Sequence, residues 1–142
     1  MQKRKYTSLL FFLAVFFITS SCGKYEDGPT FSLLSKKSRI ANTWKIDKVF
    51  IDDVDRTSIY TEYMKTYKLE LTKDGTISET TTTTLGTATV KGTWALTSSD
   101  ENLVFTMPGL NIINKILKLK SGEMWLQKTD GGHIEVTHYI TY

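Results

Sequence analysis

Short apolar runs alternate with turn residues along most of the chain after residue 43. The runs cover residues 44–51, 67–71, 77–85, 88–96, 103–107, 112–119, 124–127 and 134–140. Breaks such as Lys73-Asp74-Gly75 and Asp130-Gly131-Gly132 carry the residues that favour tight turns. The pattern predicts eight β-strands, and connections this short predict that successive strands pair antiparallel.

Apolar residues within each predicted strand share one parity, so each strand has one apolar face. The inner faces predicted in this way include Tyr67, Leu69 and Leu71; Val90, Trp94 and Leu96; Leu103, Phe105 and Met107; and Ile134, Val136, His138 and Ile140. One apolar face per strand predicts one enclosed core. The fold class is therefore all-β, either an eight-stranded antiparallel up-and-down barrel or a sandwich.

Two segments depart from regular alternation. In the first strand Trp44 and Ile46 have one parity while Val49 has the other, which predicts a β-bulge near Asp47. Residues 58–66 form the one clear helical candidate, and we expect this short helix to cover one end of the barrel. Residues 35–41 are read as a short helical or extended lead into the domain.

The N-terminal segment has the features of a secretory signal. Three basic residues at positions 3–5 precede ten apolar residues at 9–18, and small residues at 19–21 follow. Ten helical residues span only about 15 Å, roughly half of a bilayer core. We therefore predict that residues 1–21 are a cleaved signal peptide and do not span the membrane.

The formal net charge falls to zero once the predicted signal is excluded. The sequence has 18 Lys and Arg, 15 Asp and Glu, and a formal net charge of +3. Three of the basic residues lie in the predicted signal, so the remaining chain is balanced. A neutral body of this size gives no electrostatic reason to bind nucleic acid.

The single cysteine, Cys22, follows the predicted signal directly. This junction resembles the lipobox of bacterial lipoproteins, and the Lys24-Tyr25-Glu26-Asp27 sequence after it resembles the surface-export signal of Bacteroidetes lipoproteins. The resemblance implies acylation of Cys22, a tether over residues 22–38, and anchoring in outer-membrane lipid. Exposure at the cell surface is favoured over the periplasmic face.

The domain at 39–142 also resembles a known family. Arg39-Ile40-Ala41-Asn42-Thr43-Trp44 is similar to the motif that opens the first lipocalin strand, and Lys73-Asp74-Gly75-Thr76 and Lys91-Gly92-Thr93-Trp94 resemble segments of lipocalin-like lipoproteins. The resemblance implies an eight-stranded lipocalin-like barrel whose closed base contains Trp44 and Arg39. It also implies an interior able to hold a small hydrophobic molecule.

Catalytic, metal and cofactor motifs are absent from the sequence. His133 and His138 are five residues apart in one predicted strand, so they point to opposite faces and cannot share a metal ion. Asp52, Asp53 and Asp55 lack the spacing of a calcium loop and are read as a solvated turn. We expect a protein without enzyme activity.

Two features of composition remain. The threonine run at 80–84 is typical of a strand at a barrel rim or sheet edge, or alternatively of a hydroxyl-rich surface for a glycan. Several tyrosines could line a mouth or stack on a sugar. They are Tyr60, Tyr63, Tyr67, Tyr139 and Tyr142.

Two hypotheses of function follow. The first is a binding module that takes a small hydrophobic or amphipathic ligand. Its ligand-lining candidates are Tyr67, Leu69, Phe105, Met107, Leu126 and His138. The second is an interaction module with a filled interior, which docks an outer-membrane protein or glycan through its loops. A connected cavity of about 300 Å³ or more favours the first hypothesis, and ordinary packing density favours the second.

Overall fold

The structure is a computed structural model that describes residues 34–142. The predicted signal peptide, Cys22 and residues 22–33 of the tether lie outside the described residues. The predicted domain at 39–142 lies within them.

The described chain consists mainly of β-strands. The strands are β1 (Thr43–Ile51), β2 (Val54–Asp55), β3 (Tyr67–Leu71), β4 (Thr76–Thr83), β5 (Gly86–Leu96), β6 (Asn102–Met107), β7 (Leu110–Leu119), β8 (Glu123–Asp130) and β9 (His133–Thr141). The helices are α1 (Lys36–Ile40) and α2 (Thr61–Thr66), and a 3₁₀ turn (Thr57–Tyr60) leads directly into α2. The helical candidate at 58–66 is thus confirmed as a 3₁₀ turn followed by α2, and the lead segment at 35–41 contains α1.

Strand order shows a closed barrel. Apart from the short β2, each strand pairs antiparallel with its neighbours in sequence, from β3 to β9, and β1 pairs with both β3 and β9. This closure gives an eight-stranded up-and-down barrel and rules out the sandwich. β2, which was not predicted, pairs only with the last residues of β1 and lies outside the ring.

Bulges set the curvature of two strands. The register of β1 against β9 shifts between Ile46 and Lys48, which confirms the bulge expected near Asp47. A second shift, not predicted, lies between Ile116 and Lys118 in β7. Because each bulge resets the parity of its strand, apolar residues on both sides of it reach the same interior.

One end of the barrel is closed by α1 and the start of β1. The hydroxyl of Ser35 accepts a hydrogen bond from the Ser38 N–H at 3.1 Å and caps this short helix. Helix α1 ends at Ile40, whose carbonyl accepts a hydrogen bond from Trp44 Nε1 at 2.9 Å. Arg39 Nη1 donates to the carbonyl of Leu119 at 2.7 Å. These contacts form the base of the barrel, where the resemblance to lipocalins places Trp44 and Arg39.

The apolar core fills the half of the barrel next to this base. Its most deeply buried members are Ile40, Trp44, Leu69, Leu71, Ile77, Leu103, Leu119 and Met124. Most of them come from the strand ends that meet at the base. The other half is built differently, and it contains the site described below.

The inner face predicted for the last strand is wrong. In β9 the inward residues are Glu135, Thr137 and Tyr139, so His138 and Val136 lie on the outer face. The reason is an aromatic cluster outside the barrel. The His138 ring stacks on Trp125 with centroids 3.9 Å apart, and Phe50 lies 5.0 Å from it. The residues predicted for the inner face of this strand therefore belong to a packing surface outside the barrel.

The β4–β5 hairpin also differs from expectation. Val90 has inner parity but is 46% exposed, because the hairpin extends past the neighbouring strands. On its outer face the hydroxyls of Thr80 and Thr89 lie 3.2 Å apart and those of Thr82 and Thr87 lie 3.1 Å apart. The threonine run is therefore a barrel rim.

Candidate functional site

A cavity of about 270 Å³ occupies the open half of the barrel, above the packed core. Its apolar wall consists of Ile46, Val49, Phe105, Ile112 and Leu126. Four tyrosines and five polar or charged residues complete the wall. They are Tyr60, Tyr63, Tyr67 and Tyr139, and Glu79, Asn114, Lys128, Glu135 and Thr137.

The segment between β2 and β3 covers one side of the cavity. β1 pairs with β3 only through Thr43 and Trp44, and its later part contacts β2 and the segment that follows β2. The Arg56 N–H donates to the Val49 carbonyl at 2.8 Å, and the Val49 N–H donates to Thr57 Oγ1 at 3.1 Å. The 3₁₀ turn and α2 are thereby held at the opening, with Tyr60 and Tyr63 in the cavity wall.

The first polar group in the wall is a phenol and carboxylate pair. Tyr67, at the start of β3, donates from its hydroxyl to Glu79 Oε1 on β4 at 3.1 Å. Burial raises the pKa of Tyr67 well above its usual range, and Tyr139 and Glu79 nearby raise it further. The phenol therefore stays protonated at neutral pH and acts as a hydrogen-bond donor.

The second polar group lies across β8 and β9. Glu135 Oε1 accepts a hydrogen bond from Thr137 Oγ1 at 3.1 Å and forms an ion pair with Lys128 Nζ at 3.2 Å. The two charged side chains are 30% and 25% exposed, respectively. Lys128 and Glu135 compensate each other, since they stand directly opposite in the β8–β9 pairing.

Tyrosine rings in the cavity wall accompany these two polar groups. The rings of Tyr63 and Tyr67 are 5.3 Å apart and tilted by 40°. Burial raises the pKa of Tyr139, as do the nearby carboxylates of Glu79 and Glu135. Tyr139, Glu79 and Glu135 share the cavity wall, so the cavity combines aromatic faces with negative charge.

The six ligand-lining candidates do not come together in one place. Tyr67, Phe105 and Leu126 form part of the cavity wall. Leu69 and Met107 point inward but pack in the core outside the wall. His138 lies on the outside of the barrel, so the expectation that it points into the interior is wrong.

Sequence reasoning missed the charged part of the wall. Glu79 has the same parity as the buried Ile77, and Glu135 has the same parity as Thr137 and Tyr139. Parity is readable from the sequence, but apolar content as the mark of an inner face does not identify carboxylates. Of the tyrosines singled out, Tyr142 lies away from the cavity and is 72% exposed.

The described residues give no evidence of a metal site or of a membrane-spanning helix. Between residues 34 and 142 no three His, Cys, Asp or Glu side chains converge as metal ligands. Asp52 instead forms a surface hydrogen bond with His133 at 2.6 Å. No helix in this range is long and apolar enough to cross a membrane.

Strand order, closure and an internal cavity above a tryptophan-sealed base define a lipocalin-like barrel. No protein-family model matches the chain, and the comparison with curated proteins found no match. A solved structure similar to the chain is that of the siderocalin Ex-FABP, described as functioning through dual ligand specificities. It is 14% identical, with 74% of this chain and 75% of that chain covered and a TM-score of 0.47.

Proposed function

We propose that this protein is a lipid-anchored binding protein that holds a small amphipathic molecule in its barrel and does no chemistry on it. The cavity is the observation that carries this proposal. Protein interiors contain few voids larger than a water molecule, so an unfilled volume of about 270 Å³ is not ordinary packing.

The cavity volume limits the size of the ligand. It is slightly below the threshold of about 300 Å³ set from the sequence, which is the lower end of the range for drug-sized ligands. An apolar cavity of about 150 Å³ accommodates benzene. The ligand therefore has a body of about two rings or a short alkyl chain. The polar groups in the wall favour an amphipathic molecule over a pure hydrocarbon.

Neighbouring residues of β7 allow a matched test of ligand binding. Ile112 is in the cavity wall, whereas the side chain of Ile113 is 64% exposed on the outer face. We expect Ile112→Trp to fill the cavity and weaken binding of phenethyl alcohol at least tenfold in calorimetry, while Ile113→Trp leaves it unchanged. Mass spectrometry of protein from its own membranes would identify the natural ligand. Equal binding by both variants would contradict the proposal.

The proposed anchor is the acylated thiol of Cys22, the single cysteine of the sequence. Two or more acyl chains bind a protein stably to a bilayer. The proposed location is the outer face of the outer membrane. Cys22→Ser should release the protein into the soluble fraction, and retention in membranes would contradict the anchor. Digestion of the wild-type protein by protease added to intact cells tests the surface location.

A second candidate function, docking of an outer-membrane protein or glycan, is favoured by the exposed rim. Leu85, at the tip of the β4–β5 hairpin, is 98% exposed, and Leu110, after the next hairpin at the same end, is 52% exposed. Exposed apolar side chains in one region are typical of an interaction surface. Polar substitution of both leucines should abolish such docking while leaving phenethyl alcohol binding intact.

A further inference from the structure

The charges in the cavity wall do not balance. Glu135 is paired with Lys128 at 3.2 Å, and among the wall residues Lys128 is the only cation. Glu79 accepts a hydrogen bond from the neutral Tyr67 hydroxyl, and within residues 34–142 it has no positively charged partner. The wall therefore carries one carboxylate in excess. A carboxylate shielded from water is stabilised by a cation of a ligand more strongly than an exposed one is.

Three neutral donors of the wall already have partners in the protein. The Tyr67 hydroxyl donates to Glu79, Thr137 Oγ1 donates to Glu135, and Asn114 Nδ2 donates to the Leu103 carbonyl at 3.3 Å. An anionic ligand would meet the excess carboxylate and a lysine already held by Glu135. A cationic ligand would supply the charge that Glu79 lacks.

The tyrosines favour the same ligand chemistry. Tyr63 and Tyr67 lie beside each other, and Tyr67 contacts Glu79 directly. Aromatic faces attract ammonium groups through the ring quadrupole, and the attraction is strongest where water is excluded. The apolar wall formed by Phe105, Ile112 and Leu126 would hold the uncharged body of such a molecule.

We propose that the ligand is a small organic ammonium compound, with its charged nitrogen beside Glu79 and its apolar body against Phe105, Ile112 and Leu126. This inference rests on the proposed binding function and adds the chemical class of the ligand. The inference does not depend on the lipid anchor or on the exposed leucines of the rim.

Three probes of similar size and different charge test whether the ligand is an ammonium compound. Phenethylamine carries a positive charge at pH 7, phenethyl alcohol is neutral, and hydrocinnamate is negative. Calorimetry on the full barrel should show the amine binding at least tenfold more tightly than the alcohol, and the anion binding most weakly. Glu79→Gln should reduce amine affinity to that of the alcohol and leave the alcohol unchanged. The matched control Glu70→Gln, on the outer face of β3 beside Lys68, should change neither.

A second variant should raise the affinity for the amine instead of lowering it. Lys128→Met removes the partner of Glu135 and adds a second uncompensated carboxylate, so amine affinity should rise severalfold. Alcohol binding equal to or tighter than amine binding would overturn the ammonium inference while preserving the proposed function. Tighter binding of hydrocinnamate, or no rise in amine affinity with Lys128→Met, would also overturn the inference. Failure of all three probes to bind would overturn the inference and the proposed function together.

Discussion

The closed and open halves of the barrel use the same strands but different side chains. At the closed end Trp44, Leu119 and Met124 are fully buried, and the polar atoms Trp44 Nε1 and Arg39 Nη1 each donate to a backbone carbonyl. At the open end the interior contains three charged side chains, and about 270 Å³ remains unfilled. Eight strands with one connectivity thus support a filled interior around one buried guanidinium at the base and an unfilled interior with three charged side chains at the opening.

In this small domain one half of the barrel stabilises the fold, and the other half forms the cavity. Burial of apolar surface stabilises the fold by roughly 25 cal/mol per Å², and the closed half gains most of it. Charged groups inside a protein cost stability unless they are paired. Because the base already fixes the barrel, the open half can tolerate Glu79 without a cationic partner, and the proposed ammonium ligand would supply that partner.

The first prediction concerns the closed half and has the largest expected effect. Trp44→Ala removes a fully buried ring and leaves a cavity in the base, so it should lower the free energy of unfolding by about 3 to 5 kcal/mol. The control Trp125→Ala removes a ring on the outer face, which stacks on His138, and should cost about 1 to 2 kcal/mol. Urea denaturation measures both. A loss below about 1 kcal/mol for Trp44→Ala would mean that its ring does not seal the base.

The second prediction concerns the boundary between the halves. At Gly92 the strand β5 passes from its pairing with β6 into the projecting hairpin, and a Cβ there would overlap the Thr106 carbonyl oxygen. Gly92→Ala should therefore force the two strands apart and cost about 1 to 3 kcal/mol.

Gly122→Ala is the matched control, because its nearest contact would be an ordinary 3.6 Å to Thr141 Oγ1. We expect a change within about 0.5 kcal/mol for this variant. Equal unfolding free energies for the two alanine variants would show that the close approach at Gly92 does not shape the barrel.

Much of the closed half could be predicted from the sequence, because apolar alternation and short turns are local signals. The parity of Leu69 and Leu71 and the bulge at Asp47 follow from a few adjacent residues, and the place of Trp44 in the base is what the resemblance to lipocalins implies. The open half depends on which strand faces meet across the barrel. That information is not local, so the opposition of Lys128 and Glu135 became visible only in three dimensions.

The last strand shows the limit of the apolar rule most clearly. On its outer face His138 stacks on Trp125, and its polar residues Glu135 and Thr137 face the cavity. A strand with moderately apolar residues on both sides gives no preference by alternation alone. Choosing its inner face required the position of Trp125 on the neighbouring strand.

The smallest expected effect lies at the rim, where the turn after β1 meets the β8–β9 hairpin. Asp52 Oδ1 accepts a hydrogen bond from the Ile134 N–H at 2.9 Å, and its other oxygen lies 2.6 Å from His133 Nδ1. These contacts, the Ile134 N–H first, lower the pKa of the Asp52 carboxyl below its ordinary value of 3.8. A lowered carboxyl pKa stabilises the fold above the ordinary value, and this contribution is lost as the pH falls through the lowered one.

Asp52→Asn should therefore lower the melting temperature slightly at pH 7, and the difference from wild type should shrink below about pH 4. The Asp52 backbone has a φ of 50°, which Asn tolerates, so the substitution mainly removes the charge. Asp53→Asn is the matched control, since Asp53 has a φ of 63° and no comparable partner within residues 34–142. A pH-independent difference for Asp52→Asn would show that the carboxylate charge does not stabilise the rim.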